Sequence, residues 1–341
     1  MNFLRKLLFP FAVLYGFVTS VRNFLYDTGK LKSQEFDLPI IAVGNLSVGG
    51  TGKTPQIEYL IRLLSDSYRV ATLSRGYKRK SKGFILADEN SNAQILGDEP
   101  YQFFQKFPQI QVAVDANRVN GITQLLAQKN KPEVILLDDA FQHRKVKAGF
   151  YILLTAYDDL YCDDLILPAG NLRESRAGVE RANVVIVTKC PPQLTITQQN
   201  EIKTRLKLHA NQQLFFTFIA YDSHLYSAEK QIPVTEMSDV AKLLLAGIAK
   251  PESFFAYLQA AQNTTMVFPD HHDFTQQDIE IIKEKANTRC IVTTEKDYVR
   301  LSGKLPKEQL FYLPIKTTFL NDKNDFDKTI LDYVGTSTGN R

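Results

Sequence analysis

Residues 40–54 read IIAVGNLSVGGTGKT, an apolar run followed directly by a loop of small residues and a Lys-Thr pair. A strand, a glycine-rich loop and a helix start in this order are the context of a phosphate-binding P-loop. Its glycines let successive N–H groups turn toward phosphate oxygens. Its lysine places a positive charge at the β- and γ-phosphates, and the threonine hydroxyl is a suitable ligand for Mg²⁺. The sequence therefore predicts nucleotide binding by Gly49, Gly50, Thr51, Gly52, Lys53 and Thr54.

A second motif has the form of a Walker B element. Residues 134–137 are apolar and are followed directly by Asp138 and Asp139. An apolar strand with an acidic tip is the part of P-loop enzymes that serves the metal. We expect one of these two carboxylates, with Thr54, to hold Mg²⁺, and the sequence leaves open which of them binds it directly.

The nucleotide is expected to be ATP. Guanine recognition normally uses an Asn-Lys-x-Asp run, and the nearest segments here are TKCP at 188–191 and TEKD at 294–297. One departure from the usual P-loop pattern is Ser47, at the position of the first glycine. Serine is tolerated there if its φ is negative.

The order of apolar runs predicts an α/β fold. Short β-type runs alternate with helical stretches from residue 38 onward, which is typical of parallel α/β units. We expect a P-loop NTPase-type doubly wound sheet domain over 29–213, a two-stranded linker over 214–235, and a second, smaller α/β domain over 236–335. In the smaller domain, Thr275 and Asp278 form an approximate capping box for a helix over 276–286.

Composition excludes several classes of protein. With 44% hydrophobic and 23% charged residues, the 341-residue chain is globular. Its net charge of +4 does not indicate a nucleic-acid partner. Three cysteines without metal-type spacing predict neither a zinc site nor a disulfide framework.

The N-terminus is apolar between Lys6 and Arg22. Its run of about fifteen residues is shorter than the roughly 20 that span a bilayer. Two interpretations of residues 1–28 remain at this point: an interfacial membrane helix, or a helix packed on the protein's own core.

Seven motifs together resemble those of the tetraacyldisaccharide 4'-kinase family of lipid A biosynthesis, and the resemblance covers nearly the whole chain. They are GN at 44–45, GGTGKTP at 49–55, LSRGY at 73–77, GDEP at 97–100, DDAFQH at 138–143, PAGNLRE at 168–174 and DH at 270–271. One difference is Ala140, where that family more usually has glycine.

The resemblance implies an ATP-dependent lipid kinase. Such an enzyme transfers the γ-phosphate of ATP to the 4'-hydroxyl of a tetraacyldisaccharide 1-phosphate lipid A precursor, forming lipid IVA, at the cytoplasmic face of the bacterial inner membrane. Exposing acyl chains to water costs about 0.8 kcal/mol per CH₂, so the enzyme must reach the membrane surface. This favours the interfacial-helix interpretation.

The resemblance also implies catalytic residues. Asp98 corresponds to a base for the acceptor hydroxyl and His271 to its partner. Glu174 corresponds to an acidic residue of the catalytic cleft that orders metal or water. Lys53 of the P-loop is the fourth expected catalytic residue. The alternatives are a loop carboxylate or helix cap for Asp98, a satisfied loop histidine for His271 and a surface ion pair for Glu174.

Two rival functions fit the sequence less well. A partition-type ATPase leaves the GDEP and DH motifs unexplained, and a metal-delivery GTPase would need a base-specificity motif and a cysteine-rich metal site, which this sequence lacks.

Overall fold

The structure is a computed structural model that describes residue 5 and residues 7–270 and 272–338. The strands of this part of the chain form one large and one small sheet. They are β1 (Ile40–Asn45), β2 (Val70–Ser74), β3 (Ile85–Leu86), β4 (Gln111–Val114), β5 (Val134–Asp138), β6 (Phe150–Ala156), β7 (Val184–Thr188), β8 (Gln213–Tyr221), β9 (His224–Tyr226), β10 (Gln231–Pro233), β11 (Lys242–Ala246), β12 (Thr264–Val267), β13 (Cys290–Thr294), β14 (Leu310–Leu313) and β15 (Ile315–Phe319).

Helices cover both sheets. They are α1 (Phe9–Asp27), α2 (Lys53–Leu64), α3 (Ala93–Leu96), α4 (Asp98–Lys106), α5 (Arg118–Leu126), α6 (Ile196–Leu206), α7 (Glu252–Tyr257), α8 (Gln276–Ala286), α9 (Glu295–Leu301) and α10 (Lys323–Thr338). Helix α8 begins with the predicted capping box, in which the Thr275 and Asp278 side chains each bond the other's backbone N–H.

The large sheet has nine strands in the order β15-β8-β7-β6-β1-β5-β2-β4-β3. The strands from β8 to β4 in this order run parallel, and β15 and β3 are added antiparallel at the edges. Every residue of β1 is buried, as expected for a central strand covered on both faces. The P-loop therefore begins at the middle of the sheet.

The small sheet has the order β10-β9-β14-β13-β11-β12. Its four strands from β14 to β12 run parallel, and β9 and β10 are antiparallel. We call the units built on the large and the small sheet the first lobe and the second lobe. The α/β character of both is as predicted.

The boundaries between the lobes differ from the sequence-based ones. Residues 214–221 are not linker but strand β8 of the large sheet, and the chain returns to that sheet at β15. Helix α10 then buries Phe326 and Ile330 in the first-lobe core. The physical reason is aromatic packing: the Phe215 ring lies 6.0 Å from that of Phe319 and 5.3 Å from that of Phe326.

Helix α1 packs on the first lobe through one narrow face. Its buried residues are Ala12, Gly16 and Thr19. The opposite face exposes large apolar side chains, among them Phe11 at 63% and Phe17 at 66% exposure. Within the described ranges, no helix is long and apolar enough to cross a membrane.

Candidate active site

The P-loop is held in shape by side chains from neighbouring elements. Gly49 and Gly52 have φ of 113° and 85°, values that favour glycine. Asn45, at the end of β1, donates through Nδ2 to Thr51 Oγ1 at 2.9 Å. The Thr188 hydroxyl, at the end of β7, donates to the Thr51 carbonyl at 2.8 Å. The loop is thus fixed before α2 begins at Lys53.

The PAGNLRE segment, residues 168–174, forms the outer wall of this loop. The Val48 N–H donates to the Asn171 carbonyl at 2.8 Å, and the Arg173 N–H donates to the Leu46 carbonyl at 2.7 Å. The same segment contacts α1, because the Tyr15 hydroxyl donates to the Arg173 carbonyl at 3.1 Å. It therefore connects the apolar N-terminal helix to the phosphate-binding loop.

Asp139, the residue after β5, forms ion pairs with two cations. Its carboxylate lies 3.5 Å from Lys53 Nζ and accepts from Arg173 Nη1 at 3.0 Å. Burial raises the pKa of Asp139, but the charges of Lys53 and Arg173 outweigh that effect and hold this pKa below its ordinary value. Asp139 is therefore ionised at neutral pH and orients the P-loop lysine.

Asp138 has a different environment. The Ser74 hydroxyl donates to Asp138 Oδ2 at 3.2 Å, and Arg118 Nη2 donates to the Asp138 carbonyl at 3.1 Å. Burial and the neighbouring charge of Asp139 raise the pKa of Asp138 to about 6. A carboxylate destabilised in this way gains from a nearby cation.

The donors at this edge fit Mg²⁺. Thr54 offers a hydroxyl, and Asp138 and Asp139 offer carboxylate oxygens, which are the ligand types that Mg²⁺ prefers. In the described part of the chain, no cluster of three His, Cys, Asp or Glu residues could hold a metal by itself. This donor set suits an ion that is shared with nucleotide phosphates and water, as is usual for Mg²⁺ in phosphoryl transfer.

Asp98 is the first residue of α4 and contacts the second lobe. Arg300, on α9, donates from Nε to Asp98 Oδ2 at 3.0 Å, and its Nη2 bonds the same oxygen. Burial lowers the pKa of Arg300, but the hydrogen bond to Asp98 outweighs it and leaves that pKa raised. The predicted base is thus bound to a buried cation from the other lobe.

His271 lies outside the described residues, and its pairing with Asp98 stays a prediction. The chain before it is close to α4, since Lys296 Nζ lies 3.7 Å from Asp270 Oδ1 and 3.8 Å from Glu99 Oε1. Glu99 in turn is near enough to Asp138 to raise the pKa of that carboxyl. The start of α4, the end of β5 and the chain at Asp270 therefore lie near one another.

Glu174 is fully buried, so the surface ion-pair alternative is wrong. Its carboxylate accepts from Arg181 Nη2 at 2.7 Å, from Gln142 Nε2 at 3.0 Å and from Asn23 Nδ2 at 2.5 Å. Gln142 Nε2 also donates to the Asn45 carbonyl at 2.8 Å. Glu174 thus links α1, the segment after β5 and the start of the P-loop, a geometry suited to positioning; its predicted catalytic role stays a prediction.

Sequence reasoning missed a second contact between the lobes. Lys106, at the end of α4, lies with Nζ 2.7 Å from Glu58 Oε2 of α2 and pairs closely with Glu295 at the start of α9. Burial and the charge of Glu58 raise the pKa of Glu295 to about 7. The sequence signal is the TEKD segment at 294–297, whose likeness to a guanine motif gives no indication of a contact with α4.

Residues 4–335 match the family described as tetraacyldisaccharide-1-P 4'-kinase. The chain is 67% identical to the tetraacyldisaccharide 4'-kinase of Flavobacterium johnsoniae, with 98% of each chain covered. It is 46% identical to the protein of the same name from Bacteroides thetaiotaomicron, covering 99% of this chain and 95% of that one. The fold is similar to a crystal structure of LpxK from Aquifex aeolicus in complex with ATP, with a TM-score of 0.79 and 33% identity, covering 97% of this chain and 99% of that chain.

Proposed function

Because this chain belongs to the tetraacyldisaccharide-1-phosphate 4'-kinase family, we propose that the cleft between the P-loop, Asp138 and Asp98 is its active site. The chain is an ATP-dependent kinase of lipid A biosynthesis that phosphorylates the 4' position of a tetraacyldisaccharide. The observation that carries the site is the convergence of Lys53, Asp139 and the start of α4 at one edge of the large sheet. The partition-ATPase and GTPase alternatives do not agree with the family match.

Mg²⁺ is proposed to bind between the Thr54 hydroxyl and the carboxylates of Asp138 and Asp139. When bound, Mg²⁺ neutralises charge on the β- and γ-phosphates. The raised pKa of Asp138 supports this position, since a divalent cation favours the ionised carboxylate.

Phosphoryl transfer is proposed to follow from three groups of this chain. Lys53 stabilises charge on the phosphates, and the P-loop N–H groups hold them in line with the acceptor. The 4'-hydroxyl oxygen attacks the γ-phosphorus, the bond from that phosphorus to the β-phosphate oxygen breaks, and ADP leaves. The hydroxyl proton passes to Asp98, and His271 assists from the second lobe.

The exposed face of α1 is proposed to lie in the cytoplasmic leaflet of the bacterial inner membrane. Its large apolar side chains include Phe11, Leu14, Phe17 and Val18, each more than half exposed. An apolar helix face of this kind is stabilised when it inserts at the boundary of headgroups and acyl chains. Because α1 contacts the wall of the P-loop through Tyr15, a lipid acceptor at this helix is delivered beside the nucleotide.

The test is transfer of γ-labelled phosphate from ATP to a tetraacyldisaccharide 1-phosphate, followed by separation of the lipid. We expect labelled lipid with the native chain, and none when Mg²⁺ is chelated. Lys53→Ala should lose turnover almost completely, because each 1.4 kcal/mol of lost transition-state stabilisation lowers the rate about tenfold. Near-native turnover of a folded Lys53→Ala protein would contradict the proposed site, and Lys147→Ala, at an exposed ion pair, is the control.

A further inference from the structure

The PAGNLRE segment, residues 168–174, lies between α1 and the start of the P-loop. Leu172 and Ser47 form an antiparallel bridge, and backbone hydrogen bonds from the N–H groups of Val48 and Arg173 flank it. A two-stranded ladder of this kind fixes each chain relative to the other. Whatever holds the PAGNLRE segment in place therefore also holds the residues that lead into the phosphate-binding loop.

Polar side chains on α1 and just before it contact the other side of this segment. The Tyr15 hydroxyl donates to the Arg173 carbonyl at 3.1 Å, and Asn23 Nδ2 donates to Glu174 Oε2 at 2.5 Å. Arg5, ahead of α1, donates through Nε to the carbonyl of the segment's first residue at 3.3 Å. These contacts reach the segment from its first residue to its last.

The apolar part of the contact between α1 and the first lobe is small. The buried residues of α1 have short side chains, namely Ala12, Gly16 and Thr19. Such side chains remove little apolar surface from water, so the hydrophobic effect fixes the position of α1 only weakly. The directional hydrogen bonds of Tyr15 and Asn23 therefore set where α1 lies relative to the PAGNLRE segment.

One connection from α1 to the phosphate site passes through Arg173. Its carbonyl accepts from the Tyr15 hydroxyl, and its Nη1 donates to the Asp139 carboxylate at 3.0 Å. Asp139 in turn lies 3.5 Å from Lys53 Nζ. A single residue therefore separates a hydroxyl on α1 from the carboxylate that orients the P-loop lysine.

A second connection begins at Glu174, which is fully buried. Its Oε1 accepts from Gln142 Nε2 at 3.0 Å, and the same nitrogen donates to the Asn45 carbonyl at 2.8 Å. The Asn45 side chain donates to Thr51 Oγ1 at 2.9 Å. Hydrogen bonds therefore link Asn23 on α1 to Thr51 inside the loop, and a buried network of this kind is rigid when its members are paired.

We propose that Tyr15 and Asn23 are positioning residues for phosphoryl transfer, through which the seating of α1 fixes the P-loop and its lysine. Tyr15 acts through Arg173, and Asn23 acts through Glu174, so neither side chain has to touch ATP or the acceptor. Helix α1 is then part of the catalytic unit in addition to its contact with lipid. Coupling of this kind requires that a change on α1 alters the loop itself and not only the rate. The inference rests on the proposed active site.

Amide hydrogen exchange of the full chain in detergent tests the coupling without any substrate. Tyr15→Phe removes only a hydroxyl, and Asn23→Ala removes the side-chain amide. In each variant the amides of residues 46–54 should exchange about fivefold faster than in the native chain, because the ladder opens more often when the PAGNLRE segment loses a hydrogen bond. Tyr26→Phe is the matched control on the same helix, since the Tyr26 ring packs on Arg144 at 5.3 Å. Unchanged exchange of residues 46–54 in both variants would overturn the proposal.

Kinetics with a tetraacyldisaccharide 1-phosphate in detergent micelles separate positioning from lipid contact. Each variant should lose about 3- to 10-fold in kcat, with KM for the lipid and binding to vesicles within about twofold of the native values. A raised KM for the lipid with native kcat would make the two residues lipid contacts and would contradict the inference. An equal loss of kcat in Tyr26→Phe would assign the effect to helix stability and would also contradict it. Because hydrogen exchange needs no turnover, a native chain that does not phosphorylate the lipid would count against the proposed function alone.

Discussion

Arg300 on the second lobe bonds Asp98 on the first lobe through two guanidinium nitrogens that meet at one carboxylate oxygen. Arg300 lies in the last turn of α9, and Asp98 is the first residue of α4. Lys106 and Glu295 join the opposite ends of the same two helices. Two ion pairs therefore fix how α4, and with it the predicted base, faces the second lobe.

Replacing Arg300 should reduce turnover with little effect on ATP binding. We expect Arg300→Lys to lower kcat about 10- to 100-fold, because a point charge cannot reproduce two bonds from a planar guanidinium. The measurement is kcat, KM for lipid, ATP Kd and melting temperature. Arg289→Lys is the matched control within the second lobe, since Arg289 bonds Thr264 and backbone carbonyls of that lobe. If Arg289→Lys lost as much kcat as Arg300→Lys, the loss would have to be assigned to the stability of the second lobe and not to the contact with Asp98.

Asp98 and His271 should behave as one catalytic unit. Each alanine variant should lose roughly 10²- to 10⁴-fold in kcat, the range typical of a general base, with ATP affinity nearly unchanged. The double variant should resemble the worse single one, because residues that act together lose most of their benefit at the first substitution. Kinetics and melting temperatures of the three variants provide the test. Additive losses, or losses that follow melting temperature, would contradict the pairing.

Substitutions on the exposed face of α1 should release the protein from lipid. The double variant Phe11→Ser with Phe17→Ser should bind anionic vesicles at least about 10-fold more weakly, since each inserted phenylalanine contributes roughly 1.5–3 kcal/mol. ATP affinity and melting temperature should stay the same, because both side chains are exposed. Vesicle sedimentation checks the result. Ile196→Ser, at a 61% exposed position of α6, is the control, and equal release by that variant would place the anchor elsewhere.

Glu295 should make stability depend on pH. Its pKa is raised to about 7 in the folded state, against about 4.3 for an unfolded glutamate. The folded state therefore favours the protonated form, and the stability from this group is full below about pH 4 and is lost as the pH rises through 7. Urea unfolding of the native chain and Glu295→Gln at several pH values should show the variant gaining roughly 1–3 kcal/mol relative to the native chain between pH 5 and pH 8.

The control for that prediction is Glu229→Gln, which alters an exposed pair with Lys307 and should leave the slope with pH unchanged. A Glu295→Gln protein that becomes relatively less stable toward pH 8 would mean that Lys106 stabilises the ionised carboxylate more than burial and Glu58 destabilise it.

The sequence by itself determined the features that depend only on residues close together in the chain. The glycine-rich loop at 47–54, the acidic end of β5 and the capping box of α8 each involve neighbours a few residues apart, so residue type and spacing specify them. The parallel strands of the first lobe followed from apolar runs, because burial on both faces requires such runs.

Tertiary structure alone decided which distant segments meet. The return of β15 and α10 to the first lobe depends on aromatic packing between residues about one hundred positions apart, such as Phe215 and Phe319. Likewise, no local pattern could indicate that Glu174 would be buried and accept hydrogen bonds from three donors. Nor could it indicate that Arg300 would bond Asp98, 202 positions away in the chain. The physical reason is that a side chain's partner is set by where the chain crosses between sheets, and periodicity within one segment carries no information about that crossing.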